Sequence, residues 1–443
     1  MPISSQTDKK QTPVDDQCVY LSVDQLKVGV ACSHALYDEQ DQLLLGAGTR
    51  ITSELIQGLK DRNIRELAVS PADARLMESG GPSGKRSRPA PRRTSHASRN
   101  SGDIASAWRK GVPLKSALVN RHDEPLDEGR REKLHEHVQV AHERIESLRD
   151  NLIQEKMRTI EAMQDLSSAF AMAMVDDHDQ TVGELVRPAQ QFSLIDRSVR
   201  LAVLGMAVAT ELELDGPNVL EVGTAGLLHD IGLFKMAPEF SDPGRERLTN
   251  EQMWEYRKHP LVSSAALKDV SDVPNSVLIS IEQVHEQFDG SGYPFAMDGK
   301  RAHVYARILN VCDTYLQLTI GTKFRKPLVP HDALGLILHQ ARFGLFDPKV
   351  VHAFLRTESL FPLGSRVELS TGQVADVIRR PLHGYATPVV QEVGGDRISM
   401  ENQSIQIVRP VCDDESGQMR LTVEEMQTLR WNPADELIID DQS

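Results

Sequence analysis

Five side chains in the middle of the chain are the ones whose types and spacing could do chemistry. His229 and Asp230 are adjacent in "AGLLHDIG", His259 ends "LTNEQMWEYRKH", His285 lies in "VHEQFDGSGYP", and Asp313 lies in "ARILNVCDTY". Imidazole and carboxylate groups gathered from separate segments form a donor set suited to iron, manganese or zinc. Neighbouring side chains on a helix diverge by about 100°, so His229 and Asp230 cannot close a site alone. The remaining ligands must arrive from other helices. Asp230 is placed to bridge two ions while His229 ligates one. A pair of ions about 3.5–4 Å apart lowers the pKa of a shared water and neutralises a phosphodiester under attack. Each fragment alone is a weak signal. Their order joins them, with 30 residues from His229 to His259 and 28 from His285 to Asp313.

Two further features sit between these ligands. The glycines of Asp289-Gly290-Ser291-Gly292 permit a tight loop, and Tyr293 brings a ring able to stack on a nucleobase. With "HDIG", "RKHP", "HExxDGSGYP" and "ARIxxVxD" in this order, the stretch Ser193–Arg325 resembles the HD-GYP family. The resemblance implies an all-α domain that hydrolyses cyclic di-GMP to pGpG or GMP with a divalent metal, iron or manganese. It makes His229 and Asp230 the catalytic pair and His229, Asp230, His259, His285 and Asp313 the metal ligands. It assigns substrate contacts to Gly292, Tyr293, Pro294 and Arg325.

The chain departs from the family at six positions. Arg197 stands where a ligating His is expected, and Ser193 where the trinuclear members have a carboxylate. Leu233 replaces the Lys of HDIGK, Val284 the first His of the HHE triplet, and Leu316 and Thr322 two polar positions after Asp313. A guanidinium only donates hydrogen bonds and does not lose its proton in a protein, so Arg197 repels a cation instead of ligating one. It is expected to pair with Asp230 or Asp313 in the metal's place. By this reading both metal positions lose a His, which predicts a protein that binds nucleotide or a protein partner with little or no hydrolysis, and with a divalent metal or none. The alternative is an active phosphodiesterase with one ion in a remodelled site. Glu286 reads either as an acceptor for the His285 ring or as an exposed carboxylate.

The elements that must position these residues follow from patterning. A mainly α, multidomain chain is expected: an HD-type helical bundle with a small N-terminal α+β module and a small C-terminal β appendage. Residues 17–72 alternate as short strands around one helix. Residues 79–104 are rich in Gly, Pro, Ser and basic residues and read as a solvated tether. Within 130–175, Leu134, Val138, Ala141, Ile145, Leu148 and Leu152 form an a/d seam that could be core or the seam of a homodimer. Dense helical periodicity fills 182–356, short alternating strands fill 358–412, and an acidic tail, 413–443, holds one helix over Val423–Arg430. The net charge of −14 argues against broad nucleic-acid binding. Four scattered cysteines (Cys18, Cys32, Cys312, Cys412) argue against a disulfide framework. No apolar run approaches the ~20 residues of a membrane span. A cytoplasmic protein is expected, with cyclic di-GMP and a diguanylate cyclase or motility component as partners.

Overall fold

The computed structural model describes residues 108–428 apart from 188–192, 241–247, 322–324, 402–403 and 413–416, and within the N-terminal part residues 19–27, 30, 36–37, 43–45, 51, 56, 60 and 66–69. The chain divides into two compact units, residues 1–97 and 98–443. The first contains an antiparallel sheet of β1 (Val19–Ser22), β2 (Leu36–Tyr37), β3 (Leu43–Leu45) and β4 (Glu66–Val69) in the order β1-β4-β2-β3. The basic segment 79–104 lies outside the described residues.

The second unit is helical. Its first half runs α1 (Glu128–Ile153), α2 (Glu161–Asp176), α3 (His178–Leu185), α4 (Leu194–Glu211), α5 (Gly216–Leu228) and α6 (Asn250–Tyr256). It continues through α7 (His259–Leu267), α8 (Asn275–Gln283), α9 (Val304–Thr319), α10 (Pro330–Ala341) and α11 (Pro348–Glu358). Helices α4 and α9 lie at the centre. The apolar run Leu201–Ala209 is buried because α4 is enclosed by α5, α9 and α11 on several sides. Among the described residues no helix is long and apolar enough to cross a membrane. Gly226 brings α5 against α4: a Cβ there would sit 2.8 Å from the Ala202 Cα. That close approach sets the end of α5, and with it His229, beside Arg197 on α4.

The seam on α1 is core. Leu134, Ala141, Ile145, Leu148 and Leu152 are buried in the same cluster as α2 and α4, so these residues are not available to a second copy. A heptad pattern specifies an apolar stripe and not what covers it. Here the chain's own helices do.

The appendage is a five-stranded antiparallel sheet of β5 (Arg366–Leu369), β6 (Val374–Arg379), β7 (Val389–Glu392), β8 (Arg397–Ser399) and β9 (Ile407–Pro410), in the order β8-β7-β6-β5-β9. Two consecutive arginines at the end of β6 fasten it to the helices. Arg379, 1% exposed, donates to both Asp177 oxygens at 2.5 and 3.0 Å and to the Glu124 and Pro125 carbonyls. Arg380 donates to Asp179 at 2.7 Å and Glu211 at 3.1 Å.

Glu358 closes α11 just before the appendage. Burial pushes its carboxyl up from 4.5 to about 7, although Arg380 and the Tyr315 hydroxyl (3.4 Å) favour the charge. A carboxyl that keeps its proton to about pH 7 when folded, but releases it near 4.5 when unfolded, costs stability as pH rises through that window and nothing below it. Glu358→Gln is therefore expected to raise unfolding stability at pH 8 by about 1–3 kcal/mol and to change little at pH 4. Urea melts at the two pH values check this; equal effects at both would rule it out.

The acidic tail is not wholly frayed. Met419 bridges to Leu328, and its carbonyl accepts from the Val329 amide at 3.0 Å. Arg420 donates to the fully buried Asp332 of α10 at 2.6 Å, and the Leu421 amide reaches the same oxygen at 2.9 Å. A short helix, α12 (Val423–Thr428), follows. The expected helix extended to Arg430, but 429–443 lie outside the described residues. The acidic composition hid one pairing, Arg420 with a buried carboxylate 88 residues away.

Candidate metal centre

All five candidate ligands meet between α4, α5, α7, α8 and α9. His229 ends α5 and Asp230 begins the 3-10 turn Ile231–Lys235; His259 opens α7; His285 follows α8; Asp313 lies within α9. The second nitrogen of each of two imidazoles sets the aim of the first. His229 Nδ1 lies 2.8 Å from the Gly226 carbonyl and His259 Nδ1 lies 2.9 Å from the Tyr256 carbonyl. Carbonyls only accept, so both rings carry a proton on Nδ1, which leaves Nε2 facing inward.

Those inward nitrogens converge on Asp230. His259 Nε2 is 3.1 Å from Oδ1 and 2.9 Å from His285 Nε2, and His229 Nε2 is 3.0 Å from Oδ2. His229 Nε2 and both Asp230 oxygens are buried without a hydrogen-bond partner. Asp230, His259 and His285 each offer one ligand atom, all within 4.8 Å of one another. Buried lone pairs pointing at one another are costly unless a cation lies among them. The donor set therefore fits one divalent ion held by Asp230, His259 and His285. Burial alone would raise the Asp230 carboxyl, yet His229 and His259 hold it well below the usual range. Burial and the neighbouring His259 push the His285 imidazole well below its ordinary value, in the neutral form a ligand requires.

Asp313 is turned elsewhere. Arg197 Nε and Nη2 both donate to its Oδ1, at 3.0 and 2.6 Å, and Gln317 Nε2 donates to its Oδ2 at 2.7 Å. Burial opposes its charge, but the guanidinium keeps its carboxyl below the usual range. Arg197 Nη1 also faces Asp230 Oδ2 at 3.9 Å. Gln317 escaped sequence reading although it stands one helical turn after Asp313; its spacing was the available signal.

The other substituted positions divide. Val284 is fully buried in the core while His285 itself reaches the cluster. Asp230, His259 and His285 together still present three donors that could hold one ion. Leu233 packs with Phe240 and Tyr256, and Leu316 lies in the main core. Ser193 is the exposed N-cap of α4, in a reciprocal capping box with Asp196. Thr322 lies outside the described residues.

The glycine-rich loop serves the ligands. Tyr293 is 7% exposed, and its ring stacks on His285 with centroids 4.8 Å apart and 18° between planes. The ring expected to face a nucleobase is turned inward onto a ligand. Its amide donates to the His285 carbonyl at 3.1 Å. That return needs Gly292, where a Cβ would lie 2.2 Å from the Gln287 nitrogen and 2.4 Å from the His285 carbonyl oxygen. Pro294 follows Tyr293 through a cis peptide. Glu286 is buried and accepts from the Phe295 and Met297 amides at 2.6 and 3.0 Å, tying the loop down; neither expected role applies. Arg325, expected at substrate, directs Nη1 and Nη2 to the carbonyls of Gln317, Leu318, Ile320 and Lys326, where it closes the end of α9.

A family model described as HD domain matches residues 171–350. The cyclic di-GMP phosphodiesterase PA4108 of Pseudomonas aeruginosa is 33% identical over 241 residues, covering 52% of this chain and 56% of that protein. The cyclic di-GMP phosphodiesterase response regulator RpfG of Xanthomonas campestris is 29% identical over 185 residues, 41% of this chain and 46% of that one. The 3'3'-cGAMP-specific phosphodiesterase 1 of Vibrio cholerae is 26% identical over 229 residues, 50% and 49% respectively. The chain thus spans about half the length of the curated relatives it matches.

Proposed function

We propose that this chain, which matches an HD domain over residues 171–350 and resembles the HD-GYP family, takes part in cyclic di-GMP signalling chiefly by binding the dinucleotide, with slow or no hydrolysis. One observation carries the reading: Arg197 holds Asp313 at 2.6 Å where a second metal ion would need its ligands. Asp230, His259 and His285 would hold a single iron or manganese ion, whose contribution when bound is to polarise a phosphoryl oxygen. His229, fixed by the Gly226 carbonyl, faces the second Asp230 oxygen at 3.0 Å. Tyr293 keeps the His285 ring in place by stacking. A guanidinium neutralises charge but does not lower the pKa of a water as a metal does, so a site with Arg197 in place of a second ion would activate water more weakly than a two-metal site. The relatives named for cyclic di-GMP, and the one named for 3'3'-cGAMP, support a cyclic dinucleotide as the ligand.

The test uses the full chain loaded with manganese, or with iron under anaerobic conditions. The expected result is close to one metal per chain, calorimetric binding of cyclic di-GMP, and no pGpG or GMP after long incubation at high protein concentration. Two metals per chain with steady product release would overturn the reading in favour of an active phosphodiesterase.

A further inference from the structure

Arg197 is more than a plug. Its Nε and Nη2 both bond one oxygen of Asp313, which pins the plane of the guanidinium and turns Nη1 toward Asp230 Oδ2, 3.9 Å away and beyond hydrogen-bond reach. The other Asp230 oxygen faces His259 Nε2 at 3.1 Å, next to His285. The carboxylate therefore has the guanidinium on one side and the two imidazoles of His259 and His285, which with it would hold an ion, on the other. With an ion bound there, Asp230 would stand between two cations, one of them supplied by the protein.

The charges support the same conclusion. Asp230, Asp313 and Arg197, with the ligating His259 and His285 uncharged as metal ligands must be, sum to one net negative charge. A divalent ion held by Asp230, His259 and His285 makes it one net positive. A single phosphodiester then brings it to neutrality, and buried charge strongly favours such compensation. Accessibility matches as well, since the Arg197 side chain is 15% exposed while those of Asp230 and His259 are 1% and 0%. An anion arriving from solvent meets the guanidinium first. The planar fork of an arginine suits phosphate oxygens, and it cannot ligate or deprotonate water.

Resting on the binding role argued above, we propose that Arg197 serves as the second cation of this centre, holding one phosphate of the dinucleotide beside the single metal ion without activating water for its cleavage. The substitution thereby converts a position built to activate water into one that retains the ligand.

The test compares the manganese-loaded full chain with Arg197→Gln/Asp313→Asn, which removes both charges so that neither is left buried alone. Cyclic di-GMP binding is measured by calorimetry, alongside metal content and circular dichroism. The double variant is expected to keep its fold and about one manganese per chain, and to bind the dinucleotide roughly 10- to 100-fold more weakly, as fits the loss of charge-assisted hydrogen bonds. Equal affinity in a folded, metal-loaded double variant overturns the inference alone. Absence of dinucleotide binding in the wild-type protein overturns the binding role and the inference together. Should the double variant unfold, Arg197→Lys decides. An ammonium keeps the pair with Asp313 but loses the fork, so affinity should fall about tenfold at unchanged metal content; undiminished affinity overturns the inference.

Discussion

Asparagine in place of Asp230 is expected to leave the chain folded and strip it of its metal. The carboxylate is the one group that faces both His259 and His229, and its oxygens are buried with no donor to satisfy them. Losing even the groups that orient a ligand costs roughly 10–100-fold in metal affinity, and loss of a ligating charge should exceed that. The fold is expected to survive because an amide can donate to the imidazole lone pairs, and because removing a buried charge relieves its desolvation. Two measurements check this. Metal content after dialysis should fall from near one per chain to near zero. Added manganese should raise the wild-type unfolding stability, by about 2.7 kcal/mol at one hundred times Kd, and leave Asp230→Asn unmoved. Equal metal content in the two proteins would exclude Asp230 as a ligand.

The largest effect on stability is expected at Arg379. It is buried against Asp177, with further bonds to the Glu124 and Pro125 carbonyls, so it joins β6 to the start of α3 and to the segment before α1. Arg379→Met leaves the buried Asp177 with only Arg130, 4.0 Å away, as counter-charge, and breaking a buried pair from one side costs about 3–5 kcal/mol. Arg379→Met/Asp177→Asn should recover a large part of that loss, since no charge is then stranded. Urea unfolding of the two variants and the wild type measures both. A single variant within about 1 kcal/mol of wild type would show that the appendage is held by other contacts.

The candidate ligands were legible because metal chemistry restricts residue type and helical spacing restricts direction. His229, Asp230, His259 and His285 could be gathered from four short strings, and the apolar stripes of α4, α8 and α9 could be read from periodicity. Periodicity does not record which neighbour a side chain chooses. That Arg197 pairs with Asp230 or Asp313 follows from charge, but the choice of Asp313, and that Gln317 completes it, depends on how α4 and α9 cross. Tyr293 looked like a platform for a base because the string names the residue and not the way the loop returns over His285. Val284, in place of one His of the triplet, is buried in the core, and the next residue, His285, reaches the cluster. The α1 seam and the Arg420–Asp332 pair illustrate one limit: an apolar stripe or a lone charge in a sequence carries no address for its partner.

The docking of Met419–Leu421 against α10 bears on how this protein can be cut. A fragment trimmed to the helices that bear the ligands would leave Asp332 buried with no counter-charge, and would also strip away α1 and α2, whose side chains fill the same interior as α4. Such a fragment should aggregate or bind metal poorly for reasons unrelated to its active groups. The smallest piece worth expressing therefore keeps Trp108 and Leu114 at one end and α12 at the other, since all pack on the same core, with the appendage and its return segment acting as structural parts of the helical body.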